Sequence, residues 1–133
     1  MNMNLDYKEL MEAAKKASYN SYSPYSGYAV GSAVLAEDNK IYLGANIENA
    51  SYGLTNCAER SALFNAVSNG DKKIKALALW TPKSDVFPCG ACCQVILELA
   101  LNADIIINSQ NSVLKIFKIQ DLLPHFFTKD SLK

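Results

Sequence analysis

Two stretches of this 133-residue chain limit its fold more than any others. "NCAERSALFNAV" (56–67) and "PCGACCQVILELA" (88–100) each set a cysteine where an apolar pattern of helical spacing begins, and the strand-like run "IKALALW" (74–80) lies between them. The pattern predicts two helices joined through a buried strand, each starting with a thiol. Pro88 just ahead of the second helix suits a helix start, and Cys89 and Cys92, three apart, face one side of its first turn. The free N–H groups and dipole of a helix N-terminus lower a thiol's pKa. If both helices start at one end of a sheet, Cys57, Cys89 and Cys92 meet as three thiolates.

The rest of the chain supplies such a sheet. Leu5, Leu10, Met11, Ala14 and Ala17 recur at helical spacing among charged residues, which predicts an amphipathic helix over 4–19, broken by "NSYSPYSG". "YAVGSAVLA" (28–36), the "EDNK" turn and "IYLGAN" (41–46) read as a hairpin, with Gly31 marking a bulge or a close backbone approach. The second helix is expected over 57–69, with Ala58, Ala62, Leu63, Ala66 and Val67 inward and Gly70 as its cap; the third over 89–101. "ADIIIN" (103–108) and "VLKIFKI" (113–119) read as strands and "DLLPHFF" (121–127) as a closing helical turn. The order αββαβαββα predicts an α/β fold over residues 1–133, one domain, with a mostly parallel or mixed sheet and helices on both faces.

Charge and targeting narrow the setting. Thirteen basic side chains balance thirteen acidic ones, so nothing advertises a nucleic acid or an anionic membrane as partner. The N-terminus, with acidic residues and no apolar core, does not read as a signal peptide, and no apolar run approaches the ~18 residues of a membrane span. A cytoplasmic location is expected, where the four cysteines are core residues, metal ligands or nucleophiles rather than disulfides.

Three thiolates without a fourth ligand suit a catalytic zinc ion, because structural sites use four protein ligands and catalytic ones leave a position open. His125, the one histidine, reads as a surface or interface side chain. Glu59, two residues after Cys57, can face the open side of the metal and move protons, or it can be an acidic residue favoured by the helix dipole. Arg60 can draw negative charge from the thiolates, or be an exposed helix arginine. C-x-x-C alone fits a redox dithiol or structural zinc equally well, and iron can occupy thiolate ligands in place of zinc.

C-A-E followed about thirty residues later by P-C-x-x-C resembles the zinc-dependent nucleobase deaminases. With "YSPYSGYAVGSAVL", "IYLGANIENASYG" and "LLPHFF" in order, nearly the whole chain is similar to the small homotetrameric cytidine deaminases with three cysteine ligands. That resemblance implies a three-layer α/β/α domain around a five-stranded mixed sheet, one Zn²⁺ per chain on Cys57, Cys89 and Cys92, and pyrimidine salvage. It implies that zinc-bound hydroxide attacks C4 of cytidine or 2′-deoxycytidine, with Glu59 carrying protons to N3 and to the departing ammonia. It further implies Asn46 and Glu48 on the ribose, the Ala58 backbone and Tyr28 on the base, and Phe127 and Tyr52 acting across subunit interfaces of the homotetramer.

Two positions depart from the family's pattern. Cys93 stands where Arg is common; as the neighbour of Cys92 it should point about 100° away and pack rather than ligate. Tyr28 replaces Phe and adds a hydroxyl. Other readings of the same residues are a deaminase of a modified nucleoside, against which "NIENA" argues, a polynucleotide deaminase, against which the balanced charge argues, and a non-enzymatic zinc or redox module.

Overall fold

The computed structural model describes residues 6–132; Leu5 and the expected helix start at residue 4 lie outside the described residues. The elements are α1 (Tyr7–Ala17), β1 (Gly31–Ala36), β2 (Ile41–Ala45), α2 (Ala58–Ser68), β3 (Ile74–Trp80), α3 (Gly90–Leu99), β4 (Asp104–Asn108), β5 (Leu114–Phe117) and α4 (Ile119–Leu122). Short 3₁₀ turns link several of them. The five strands form one sheet in the order β2-β1-β3-β4-β5, and only β3 and β4 pair in parallel. The sheet is therefore mixed.

Strand alternation divides the core between the two faces of the sheet. On one face Leu10, Met11 and Ala14 of α1 pack against Ala33, Leu35, Ala76, Ala78 and Ile106. On the other, Ala62, Leu63 and Ala66 of α2 and Cys93, Ile96 and Leu97 of α3 pack against Val34, Leu77, Leu79, Ile105 and Ile107. This is the three-layer α/β/α arrangement. Two glycines let helices come close: a Cβ on Gly31 would lie 1.9 Å from the Ala14 carbonyl of α1, and one on Gly44 would lie 2.3 Å from the Ala62 nitrogen of α2. Gly31 thus marks a close approach, while the irregularity in β1 pairing falls between Leu35 and Ala36.

Sheet directions place the two thiol-bearing helices. β1 runs antiparallel to both its neighbours, with Gly31 opposite Ala45 of β2 and Trp80 of β3. β2 and β3 therefore end at the same rim, and the segments that follow them, leading into α2 and α3, start there. Trp80, the chain's single tryptophan, turns toward α1, where the Lys15 ammonium sits 6.0 Å from its ring centre.

Several expected boundaries move. β1 begins at Gly31 rather than at residue 28; the Val30 N–H and the Tyr28 carbonyl bond to the Asn46 side chain, and one backbone bond, from the Asn46 N–H to the Val30 carbonyl at 3.3 Å, extends the pairing. The closing helix occupies Ile119–Leu122 rather than 121–127, since Pro124 disfavours helical geometry at Leu123 and cannot itself donate to a helix ladder. Val67 is half-buried rather than inward. α2 ends with Asn69 as its C-cap and Gly70 just beyond, at φ +89°. Among the described residues no helix is long and apolar enough to cross a membrane.

Candidate functional site

Cys57 and Cys89 are the N-cap residues of α2 and α3, both with extended backbone, and Cys92 is buried in the first turn of α3. Their three Sγ atoms lie within 4.8 Å of one another. Sulfurs sharing one tetrahedral zinc at ~2.3 Å each would stand about 3.8 Å apart, a spacing inside that limit. The donor chemistry, three thiols at two helix N-termini, fits a thiophilic cation. Arg60 adds to the fit: its Nη2 donates to Cys57 Sγ at 3.2 Å, and its buried Nε, without a partner among the described residues, is a spare donor for thiolate charge.

The acid–base properties of the cluster follow from these contacts. The Cys57 thiol is held down to about 5, first by the hydrogen bond from Cys92 and then by Arg60, against its burial. Cys92 is pushed up, because it donates to Cys57, is buried and faces the Glu59 and Cys57 charges. Arg60 is held above its ordinary value by the Cys57 hydrogen bond. Glu59 is 4% exposed, and burial, reinforced by the Cys57 charge, raises its carboxyl to about 7.

A cavity of about 200 Å³ opens beside the thiols. Tyr28, Asn46, Cys57, Ala58, Glu59 and Cys89 line it, all anticipated from the sequence. Val30, Thr55, Leu79, Thr81, Val86 and Phe87 complete the wall and were not anticipated. For Leu79 and Thr81 a signal existed: they sit two apart at the end of a buried strand, on the side facing α2 and α3. Val86 and Phe87 follow a loop whose path the sequence does not reveal.

The remaining expected residues are placed differently. Glu48 and Tyr52 lie in an adjoining hollow that shares Thr55 with the cavity. The Glu48 carboxylate accepts from the Tyr25 and Ser26 N–H groups at 3.0 and 3.1 Å and from the Ser26 hydroxyl, and these bonds, led by the hydroxyl, hold it below the usual carboxylate range. Asn46 Oδ1 accepts from Ser21 Oγ and from the Val30 N–H at 2.9 Å, and its Nδ2 donates to the Tyr28 carbonyl at 2.8 Å. Both side chains thus brace the 21–30 segment against the cavity. Phe127 and Tyr52 are 57% and 77% exposed; the Phe127 carbonyl accepts from Gln94 Nε2 at 2.7 Å, and its ring does not line this cavity. Cys93 is buried in the core with its thiol directed to the Pro88 carbonyl, apart from the other three sulfurs. His125 is exposed.

The comparisons with known proteins agree with this geometry. The family model for the cytidine and deoxycytidylate deaminase zinc-binding region matches residues 5–108. The chain is 43% identical over 130 residues to a cytidine deaminase of Sporosarcina psychrophila, covering 96% of each. It is 42% identical to one from Halalkalibacterium halodurans, over 96% of this chain and 98% of that one. A crystal structure of cytidine deaminase from Burkholderia pseudomallei superposes with a TM-score of 0.88 at 39% identity, covering 92% of this chain and all of that one. The family match spans most of the chain, including the three converging thiols, Glu59 and Arg60: the chain belongs to the cytidine and deoxycytidylate deaminase zinc-binding family.

Proposed function

We propose that this protein hydrolytically deaminates cytidine and 2′-deoxycytidine to the corresponding uridines and ammonia, serving pyrimidine salvage in the cytoplasm. The observation that carries the reading is the convergence of three thiols, within 4.8 Å of one another, at a small cavity also lined by the buried Glu59. One Zn²⁺ per chain, held by Cys57, Cys89 and Cys92, supplies Lewis acidity that makes water a nucleophile near neutral pH.

The chain's own residues do the rest. Glu59 accepts a proton from the attacking water and delivers protons to N3 of the ring and then to the leaving amino group. Its side chain is enclosed by the start of α2, so bulk water does not compete for that proton. Arg60 donates to Cys57 and offsets the negative charge of three thiolates. The N–H of Ala58, in the first turn of α2 and outside the intrahelical ladder, is available to the base. Tyr28 packs on the ring. Asn46 and Glu48 reach the sugar hydroxyl, Asn46 with its remaining amide hydrogen and Glu48 by exchanging a loop partner.

Tyr52 and Phe127 serve a neighbouring subunit's cavity in a homotetramer. Their exposure supports this, as does the apolar surface at edge strand β2 and along α2, where Ile41, Leu43, Ile47 and Phe64 are exposed. The test is the fall in ultraviolet absorbance on mixing with cytidine, with zinc measured on the same sample. Turnover with about one zinc per chain is expected; Glu59→Gln should keep zinc and lose roughly a hundredfold or more in rate. Normal turnover by that variant would overturn the proton-transfer role, and zinc without turnover in the parent would overturn the cytidine assignment.

A further inference from the structure

Half of the cavity wall that the sequence did not foretell, Thr81, Val86 and Phe87, belongs to one loop, residues 81–89, which joins β3 to α3. Its start is clasped by Asn108 at the end of β4: the Thr81 N–H donates to Asn108 Oδ1 at 3.2 Å, and Asn108 Nδ2 donates to the Thr81 carbonyl at 2.9 Å. Thr81 itself is 1% exposed. Asp85 ties the middle of the loop. Its backbone sits at φ +63° and its N–H donates to the Asn108 carbonyl at 2.9 Å. Its carboxylate accepts from Ser109 Oγ at 2.8 Å and pairs with Lys115 Nζ of β5 at 2.9 Å. The far end is fixed at Cys89, the N-cap of α3. Only Val86, Phe87 and Pro88 lie between the two anchors; Val86 and Phe87 line the cavity, with 45% of Phe87 left exposed. The Phe87 ring is further braced edge-on by Phe117 of β5, with centroids 5.2 Å apart at 65°.

This arrangement constrains which pyrimidine fits, given the deaminase reading above, on which the inference rests. At about 200 Å³ the cavity falls below the ~300–1,000 Å³ of pockets for drug-sized ligands. A base that presents C4 to the thiol cluster and N3 to Glu59 has its remaining neighbour of C4, the apolar C5–H edge, facing another wall. Ala58 and Glu59 follow Cys57 on the α2 side of the cavity, and the Val86–Phe87 segment, which leads into Cys89, forms the wall on the α3 side.

We propose that Phe87 is a specificity-determining residue that closes the space beyond C5 of the pyrimidine, and that Asp85 is the positioning residue that holds it there through the β4–β5 hairpin. The protein therefore selects cytosine bases unsubstituted at C5. A flexible loop in the same place would let the ring swing aside and admit a larger base. The three anchors, Asn108, Ser109 and Lys115, all lie on the hairpin, so the selectivity of the cavity depends on an element that contributes no residue to its wall.

The experiment compares kcat/KM for cytidine and 5-methylcytidine on zinc-loaded parent, Phe87→Ala, Asp85→Asn and the double variant. Calorimetric binding of uridine and 5-methyluridine to the same proteins gives a readout independent of turnover. Phe87→Ala should raise the ratio of 5-methylcytidine to cytidine kcat/KM by roughly tenfold or more, the usual value of one methyl group in an apolar pocket, and should raise the relative affinity for 5-methyluridine similarly. Asp85→Asn should move both ratios in the same direction by less, and add nothing in the double variant. Phe87→Leu replaces Phe87→Ala if the latter does not fold. Ratios within twofold of the parent in both assays would overturn the Phe87 assignment. A lowered melting temperature in Asp85→Asn with unchanged ratios would reduce Asp85 to a structural role and overturn its positioning. A parent that converts no cytidine refutes the deaminase reading instead, and the calorimetric arm still decides the wall.

Discussion

Replacing Gly44 by alanine tests how the sheet positions the thiol cluster. The added Cβ would stand 2.3 Å from the Ala62 nitrogen, 2.5 Å from the Ala58 carbonyl and 2.9 Å from the Ala62 Cα. All three are backbone atoms of α2, so no side-chain rotation relieves the clash, and the helix must retreat by about 1 Å to reach ordinary contact. A gap of that size forfeits a quarter to a half of the dispersion attraction across it, and overpacking of this kind costs about 1–3 kcal/mol. For a chain of this length that lowers the melting temperature by roughly 3 to 15 °C. Cys57 and Glu59 move with α2 while Cys89 and Cys92 stay with α3, so the three sulfurs no longer suit one ion at ~2.3 Å. A displacement near 1 Å at a reacting centre costs about a hundredfold in rate. Thermal melting, zinc per chain and cytidine turnover on Gly44→Ala measure the three consequences. Gly31→Ala is the comparison: its clash with the Ala14 carbonyl at 1.9 Å falls on the α1 face, so it should cost at least as much stability while its folded fraction keeps zinc. Parent-like zinc and turnover in Gly44→Ala would refute the argument that this close approach sets the thiol geometry.

Arg60→Gln should lose zinc to a competing chelator about 10 to 100 times more readily, as expected for a group that donates to a metal ligand; unchanged retention would return Arg60 to a surface role. Zinc added to metal-free protein in weak buffer should release protons, because Cys92 holds its proton while it donates to Cys57 and must give it up to ligate; binding without acidification would exclude Cys92 as a ligand. Burial pushes the Asp104 carboxyl up, but hydrogen bonds from Lys118 and Tyr7 outweigh it and hold the group below the usual range. Its contribution is therefore complete above the unfolded value of about 3.9 and is lost as pH falls through the lower folded value. Asp104→Asn should accordingly lower the urea midpoint at pH 7, by an amount that shrinks as pH falls below the unfolded value, and a deficit independent of pH would refute the ionic origin.

The helices, strands and thiols were legible because each is written in a local pattern. Helical spacing marked Leu10, Met11 and Ala14 as one buried face, and the apolar run from Ala76 to Trp80 in β3 marked a strand covered on both sides. The cysteines were legible through their place at helix starts. What escaped was set by partners distant in sequence. The Thr81 and Asp85 contacts join a loop to residues 23 to 30 positions away, and nothing local in "TPKSDVFP" tells which way Phe87 faces. Asn46 and Glu48 were read as groups near the sugar, yet most of their bonding capacity goes to the 21–30 segment, a partnership that exists only once β1 and β2 have paired. The limited parallel content has a similar cause. β1 sits between β2 and β3 and runs against both, an arrangement that periodicity does not encode.

Strand alternation leaves Trp80 and Thr81 on opposite sides of the rim: the hydroxyl residue lines the cavity, while the indole is on the α1 face beside Lys15. The single tryptophan is thereby an internal fluorophore one peptide bond from the reaction site and screened from whatever occupies it. Any change in its emission when a nucleoside is added reports movement of the chain at the end of β3, free of quenching by the base itself. The fold has placed an optical gauge of loop strain on the face of the sheet away from the cavity.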